Sequence, residues 1–384
     1  MRQTATQVFE MAKQPLKAKV RADQPEGRPK QVKRQASIVN DDPPADPPEG
    51  IDMKAITDDI KDTRETVLVS GSNGRLGKEV IRMLLKKGDV VRALVKKREY
   101  IVDLPAGVIP YIGDLNDENV LDQACDGVRT VMHFAAIVSE YRATTEELLR
   151  VNVDGTRNLL EASEKAKVDH FIYPSTVDVY GKRRKEILTE ESELRPTDKY
   201  GHSKMLAEYV LEHYKASVPY TIFRMANLYG PGFEGPFFKI LRAIKEQKAY
   251  LIGSGQNSMP LLHVYDAMRA FILAKNNSAS KGKTYNLTDG INYTQEQLFA
   301  KAAELLHVPA PSQHISEIIV KVMAKKRGLD SDELRFLTSD RRVDISKVKN
   351  ELGFSAMVTL DEGGGELVDK FLGRMQKAPP SLQI

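Results

Sequence analysis

One cysteine in 384 residues is the sharpest scarcity in this chain. Cys125 alone closes no intrachain disulfide and supports no cysteine-rich metal centre, and its apolar register in an expected helix makes it a small core residue. No stretch approaches eighteen uninterrupted apolar residues, so no segment reads as a membrane span. An apolar signal core is missing near Met1, and with the single thiol this points to a reducing, cytoplasmic setting. An organellar setting follows instead if the first residues form a presequence. Surplus charge is scarce too: a net charge of +4 is too small for this length to mark nucleic acid as a partner. No repeat of solenoid period is present.

What is present is 41% apolar residues, enough core for one large domain or a domain with an appended lobe. Charge is unevenly placed. Residues 1–40 carry nine Lys/Arg against three acids, and residues 41–65 carry nine Asp/Glu against three bases. The run Asp41-Asp42-Pro43-Pro44-Ala45-Asp46-Pro47-Pro48-Glu49-Gly50 builds neither core nor regular backbone bonding. Residues 1–64 therefore read as a disordered tail, serving as a solvated extension, an arm that docks a protein partner, or a presequence. Thr4, Thr6 and the basic residues suit a presequence, whereas Glu10 and the acidic stretch do not.

From Thr66 onward short apolar runs alternate with amphipathic helices. Val67-Leu68-Val69 enters a glycine-rich turn, and Leu76, Val80, Ile81, Leu84 and Leu85 then recur at helical spacing until Gly88. Strands are expected at Val90–Val95, Val108–Ile112, Val131–Phe134, Phe171–Tyr173 and Tyr220–Arg224. Helices carrying Leu148 to Leu160 and Tyr200 to Tyr214 lie between the later ones. This βαβ rhythm predicts a doubly wound parallel sheet of Rossmann type. It would span 65–225, with 255–290 returning to it and 226–254 plus 291–384 forming a smaller substrate-binding lobe.

Two motifs in this frame carry chemistry. Gly71, Gly74 and Gly77, between a buried strand and a helix, permit a tight turn, close backbone approach to a pyrophosphate and close helix packing. The helix N-terminus then offers free N–H groups to the anion. The second strand ends without an Asp or Glu to grip ribose hydroxyls and runs into Lys96-Lys97-Arg98, so NADP is expected over NAD, with Lys96 at the 2′-phosphate and Arg75 assisting. Downstream, Tyr200-x-x-x-Lys204 sets a phenol and an ammonium one helical turn apart.

The ordered set resembles the extended short-chain dehydrogenase/reductases, the NAD(P)-dependent epimerase/dehydratase and 3β-hydroxysteroid-dehydrogenase-like superfamily. It comprises Gly71-x-x-Gly74-x-x-Gly77, Gly113-Asp114-Leu115, His133-Phe134-Ala135-Ala136, Asn152-Val153-Asp154-Gly155-Thr156, Pro174-Ser175-Thr176-x-x-x-Tyr180-Gly181, Tyr200-x-x-x-Lys204, Tyr229-Gly230-Pro231 and His263-Val264-Tyr265-Asp266. The resemblance implies cofactor contacts from Asn73, Leu76, Asn227 and the glycine loop, adenine contacts from Asp114 and Leu115, and a nicotinamide-ribose lining from Ala135 and Ala136. It implies a catalytic group of Thr176, Tyr200 and Lys204, with Asn152 ordering the site. It also implies a homodimer through helices at about 144–164 and 198–215. His263 and Asp266 are expected to be structural, Asp266 capping the helix that follows.

Free tyrosine has a pKa near 10, and lowering it by about three units takes roughly 4 kcal/mol of preferential phenolate stabilisation. Lys204 and an oxidised nicotinamide supply the two cations, and Tyr200 then exchanges a proton with a substrate hydroxyl as hydride moves. Two departures narrow the substrate. Where sugar-nucleotide dehydratases place Asp-Glu after the catalytic Thr, this chain has Val177-Asp178. Where epimerases carry an Arg four residues before the His-Val pair, it has Met259, losing a diphosphate contact worth about 1.5–3 kcal/mol. The expectation is an NADP-dependent oxidoreductase for an uncharged or lipophilic small molecule. The alternatives are a nucleotide-sugar epimerase, dehydratase or reductase using Arg341 or Arg342, and a cofactor-binding scaffold docked by its tail.

Overall fold

Strands buried on both faces need helices above and below, and a parallel sheet with crossover helices provides that arrangement. The computed structural model describes residues 51–52, 56, 58, 60, 62, 64–138, 143–320, 322 and 331–377. The tail through residue 50, with the docking and presequence readings attached to it, lies outside the described residues.

The strands are β1 (Thr66–Ser70), β2 (Val90–Val95), β3 (Ile109–Ile112), β4 (Thr130–His133), β5 (His170–Thr176), β6 (Arg183–Leu188), β7 (Tyr220–Met225), β8 (Asn227–Tyr229), β9 (Leu251–Ile252), β10 (Leu261–His263), β11 (Lys283–Leu287), β12 (His314–Ile315) and β13 (Asp340–Val343). Seven form one sheet in the order β11-β7-β5-β4-β1-β2-β3, every neighbouring pair parallel. This is the doubly wound Rossmann arrangement. Strand order reverses between β1 and β4, where open α/β sheets bind ligands.

Helix α1 (Arg75–Lys86) shows how local sequence sets the boundaries. Val80, Ile81 and Leu84 bury one stripe, and the helix ends where Gly88, at φ +86°, turns left-handed. There Gly88 N–H bonds Leu85 O and Asp89 N–H bonds Leu84 O, a glycine-closed terminus. Then come α2 (Glu118–Cys125), α3 (Thr145–Leu149), α4 (Gly155–Lys165), α5 (Lys199–Tyr214), α6 (Gly235–Lys245), α7 (Val264–Lys275), α8 (Gln295–Leu305), α9 (Ser331–Thr338), α10 (Ser346–Leu352) and α11 (Leu360–Lys377). Among the described residues no helix is long and apolar enough to cross a membrane.

Three features differ from the sequence reading. The single helix expected around Leu148–Leu160 is divided, because Arg150–Asp154 is a π-helical turn joining α3 to α4. Ile56 and Ile60, assigned to the tail, are buried in the main core. Their carbonyls accept from Arg269 Nε (3.2 Å) and Lys87 Nζ (2.7 Å), so the core recruits residues before the expected boundary at 64. Asp266 does not cap α7. That helix starts at Val264, where His263 Nδ1 accepts from Tyr265 N–H, while Asp266 accepts from Met357 and Val358 N–H ahead of α11.

Candidate active site

The glycine loop lies at the reversal point of the sheet, and its glycines are there for lack of space. A Cβ on Gly71 (φ +67°) would stand 2.5 Å from Ala135 N, and one on Gly77 would stand 2.3 Å from Gly71 O. Gly74 precedes α1 without a side-chain cap, and no acid occupies the first turn. The uncapped N–H groups and the Cβ-free backbone fit a dinucleotide diphosphate. Asn73 Nδ2 donates to Tyr100 O (2.7 Å) and Ser72 Oγ to Leu94 O (2.9 Å), tying the loop to β2 and the turn after it. Leu76 is half-buried against the core. Arg75 is exposed, its guanidinium 5.9 Å from the Phe233 ring centroid.

At the ends of β2 and β3, two expected cofactor residues meet each other. Lys96 Nζ lies 3.0 Å from Asp114 Oδ2. Burial pushes the Asp114 carboxyl up, but Lys96 and the Asn116 N–H groups outweigh it and hold the pKa below the ordinary value. Leu115 is buried against Gly155, where a Cβ would come within 2.8 Å of Leu115 Cδ1. Asn227 is half-buried at the start of β8, opposite Leu261 in the β8–β10 pair.

A buried hydrogen-bond relay links the cradle to α5. Ala135 N–H donates to Ser70 Oγ (3.4 Å), and Ser70 Oγ meets His133 Nδ1 at 2.5 Å. His133 Nε2 meets Thr156 Oγ1 at 2.9 Å, and Thr156 donates to Asn152 O at 2.8 Å. Because the Thr156 hydrogen is committed to Asn152, His133 carries its proton on Nε2 and accepts from Ser70 on Nδ1. Burial, reinforced by the Lys204 charge, lowers the His133 pKa to about 3, so the ring stays neutral. Asn152, in the π turn, grips Ile137 twice: Nδ2 donates to its carbonyl (2.9 Å) and Oδ1 accepts from its N–H (2.8 Å). The same Nδ2 donates to Ser203 Oγ (2.9 Å), which donates to Tyr200 O (2.8 Å). The roles of Ser70, Thr156 and Ser203 were not read from the sequence; they follow from the packing of β1, β4, α4 and α5.

Thr176 ends β5, and its Oγ1 accepts from Asp178 N–H at 3.1 Å. Ser175, on the opposite side of the strand, donates instead to Glu208. The Thr176–Asp178 turn packs against the first turn of α5, where a Cβ on Gly201 would meet Asp178 O at 2.8 Å. Asp198 Oδ1 caps α5 by accepting from Gly201 N–H at 2.7 Å. Tyr200 is half-buried in that first turn. One turn on, Lys204 is only 2% exposed, with Nζ 3.9 Å from the Tyr173 ring centroid. Burial lowers its pKa to about 7, against the opposing pull of Glu208.

Asp178 is committed as well. Its Oδ1 lies 2.7 Å from Arg341 Nη2 and its Oδ2 lies 3.7 Å from Arg335 Nε. Burial pushes the carboxyl up, but the two guanidiniums outweigh it and hold the pKa below the usual value. Arg341, 2% exposed, is therefore occupied by Asp178, and Arg342 donates to the Lys185 carbonyl. Met259 is buried beside an apolar cavity of about 70 Å³, lined also by Tyr229, Phe237, Leu298, Phe336 and Leu360.

The chain matches the NAD dependent epimerase/dehydratase family over residues 67–288. It is 29% identical over 314 residues to the N-acetyl-alpha-D-glucosaminyl-diphospho-ditrans,octacis-undecaprenol 4-epimerase of Escherichia coli O157:H7, covering 78% of this chain and 93% of that protein. It is 28% identical over 325 residues to sterol-4-alpha-carboxylate 3-dehydrogenase erg26, decarboxylating, of Schizosaccharomyces pombe, covering 78% and 95%. The solved structure of MoeE5 in complex with UDP-glucuronic acid and NAD is similar at TM-score 0.65 and 25% identity, covering 80% of this chain and 99% of that one. The chain belongs to the NAD dependent epimerase/dehydratase family, among the extended short-chain dehydrogenase/reductases, and is a nicotinamide-dependent enzyme.

Proposed function

We propose that this enzyme interconverts a secondary alcohol and a carbonyl on an uncharged or lipophilic substrate, using Thr176, Tyr200 and Lys204. The observation that carries the substrate class is that buried, apolar Met259 stands where the resemblance would place a diphosphate-binding arginine. A diphosphate would require a cation there, and Arg341, the alternative cation, is occupied by Asp178. The name of one relative, a sterol-4-alpha-carboxylate 3-dehydrogenase, supports a lipophilic substrate.

A bound nicotinamide dinucleotide supplies the hydride acceptor or donor. In the oxidation direction, Thr176 Oγ1 hydrogen-bonds the substrate oxygen and orients its carbon. Tyr200, as phenolate, takes the hydroxyl proton while hydride leaves that carbon, and in reduction it returns the proton to the oxygen. Lys204, one helical turn along α5, favours the phenolate when it carries its charge. Asn152 holds the Ile137 loop and Ser203 together, so that α5 keeps its phenol and ammonium in place.

For the cofactor we favour NADP. No carboxylate ends β2, and Lys96 lies on the surface in an ion pair worth about 0–1 kcal/mol, which a ribose phosphate can displace. A panel of 3-hydroxysterols, isoprenoid alcohols and UDP-glucose, each with NADP or NAD, tests the reading by absorbance of the reduced nicotinamide. Turnover of a lipophilic alcohol with NADP is expected. Turnover of UDP-glucose alone, read as formation of its 4-epimer because epimerisation leaves no net reduced nicotinamide, would overturn it.

A further inference from the structure

Arg335 comes from α9, 135 residues beyond Tyr200 in the chain, yet its guanidinium carbon lies 5.5 Å from the Tyr200 ring centroid. Its Nη1 is 3.3 Å from Asp198 Oδ1 and its Nε is 3.7 Å from Asp178 Oδ2. Those carboxylates belong to the two segments that carry the expected catalytic groups. Asp198 caps α5 two residues ahead of Tyr200, and Asp178 follows Thr176 in the turn packed on Gly201. The arginine side chain is 16% exposed, so its charge meets the ring with limited screening. A planar fork held by two carboxylates has little freedom to leave the ring.

We propose that Arg335 is a positioning residue for Tyr200, fixing the ring from outside its own helix and favouring its phenolate. This rests on Tyr200 being the proton-transfer group. Among the described residues, the charged and titratable groups near the phenol include Arg335 on α9 and Tyr173 on β5, with Asp178 and Asp198 beside that arginine, Arg341 behind Asp178 and Lys204 one turn along the same helix. Arg335 stands among the two carboxylates and the ring. Removing its charge therefore withdraws a cation and exposes the phenol to Asp198, and both effects disfavour the phenolate.

The chain has no tryptophan, so the tyrosinate absorption band can be followed without indole overlap. Subtracting the titration of Tyr200→Phe from that of the full-length protein isolates one phenol among fourteen tyrosines. With NADP bound, Arg335→Met should raise the Tyr200 midpoint by about one pH unit, a tenfold loss of phenolate at neutral pH. Arg335→Gln, which keeps a donor for Asp198, should shift it similarly, and Arg335→Lys should restore at least half of the shift. Unchanged midpoints in the Met and Gln variants, or a Lys variant displaced as far as Met, would overturn the proposal. The readout is spectroscopic. Full hydride transfer by Tyr200→Phe would therefore refute the catalytic reading separately, leaving the titration to report on Arg335 alone.

Discussion

Replacing Asn152 by alanine removes the only side chain seen to tie the loop after β4 to α5 among the described residues. Three hydrogen bonds of 2.8–2.9 Å disappear, two to the Ile137 backbone and one to Ser203. At about 1 kcal/mol net each, the loss is about 3 kcal/mol, with the half-buried Ile137 groups recovering part of it from water. Local opening of the loop should become about a hundredfold more frequent. Urea unfolding should show a stability loss of about 2–3 kcal/mol at unchanged slope, and amide exchange at Ile137 should accelerate by a similar factor. Asn152→Asp keeps the acceptor for Ile137 N–H but sets a second acceptor against the Ile137 carbonyl, so it should regain less than half. An alanine variant within about 0.5 kcal/mol of the parent, with Ile137 still protected, would refute the positioning role of the π turn.

The remaining expectations concern the cofactor and pH. NADPH should bind at least about tenfold tighter than NADH, about 1.4 kcal/mol, and alanine at both Lys96 and Lys97 should erase most of that difference in calorimetric titrations. Equal dissociation constants in the parent protein would exclude the NADP preference. Burial raises the Asp289 pKa to about 7, with Asp266 adding to it and the Ile291 N–H and Tyr293 bonds opposing. Between about pH 4 and pH 7 the native carboxyl stays protonated while the unfolded one ionises, so folding stability falls as pH rises across that window. Asp289→Asn should therefore raise the melting temperature at pH 8, by the equivalent of about 1–3 kcal/mol, and lose that advantage near pH 4. An equal gain at both values would show that the carboxyl's ionisation is not the cause.

Sequence and structure agree where one physical demand dominates. The strands of the seven-stranded sheet were legible because a parallel sheet with covered faces leaves short apolar runs. The glycine loop was legible because Gly71 and Gly77 face backbone that excludes a Cβ. Less was visible where one residue decides the geometry. The π turn at Arg150–Asp154 carries no compositional mark, and His263 rather than Asp266 caps α7 because that helix begins earlier than an acidic cap suggested. The pairing of β6 with β13 and the arrival of Arg335 at Tyr200 join segments more than 130 residues apart. Such contacts follow from tertiary packing, and local periodicity does not encode them. Lys96 and Asp114 were each singled out, but their mutual pairing follows only from β2 and β3 being neighbours.

The most direct test of the account is single-turnover hydride transfer by Tyr200→Phe, on whichever sterol or isoprenoid alcohol the parent enzyme oxidises with NADP. The phenylalanine keeps the ring against Arg335 and removes only the hydroxyl. The chemical step should slow by about 10²–10⁴ while cofactor affinity stays nearly unchanged. An unchanged chemical rate would contradict the account and assign the proton to another group.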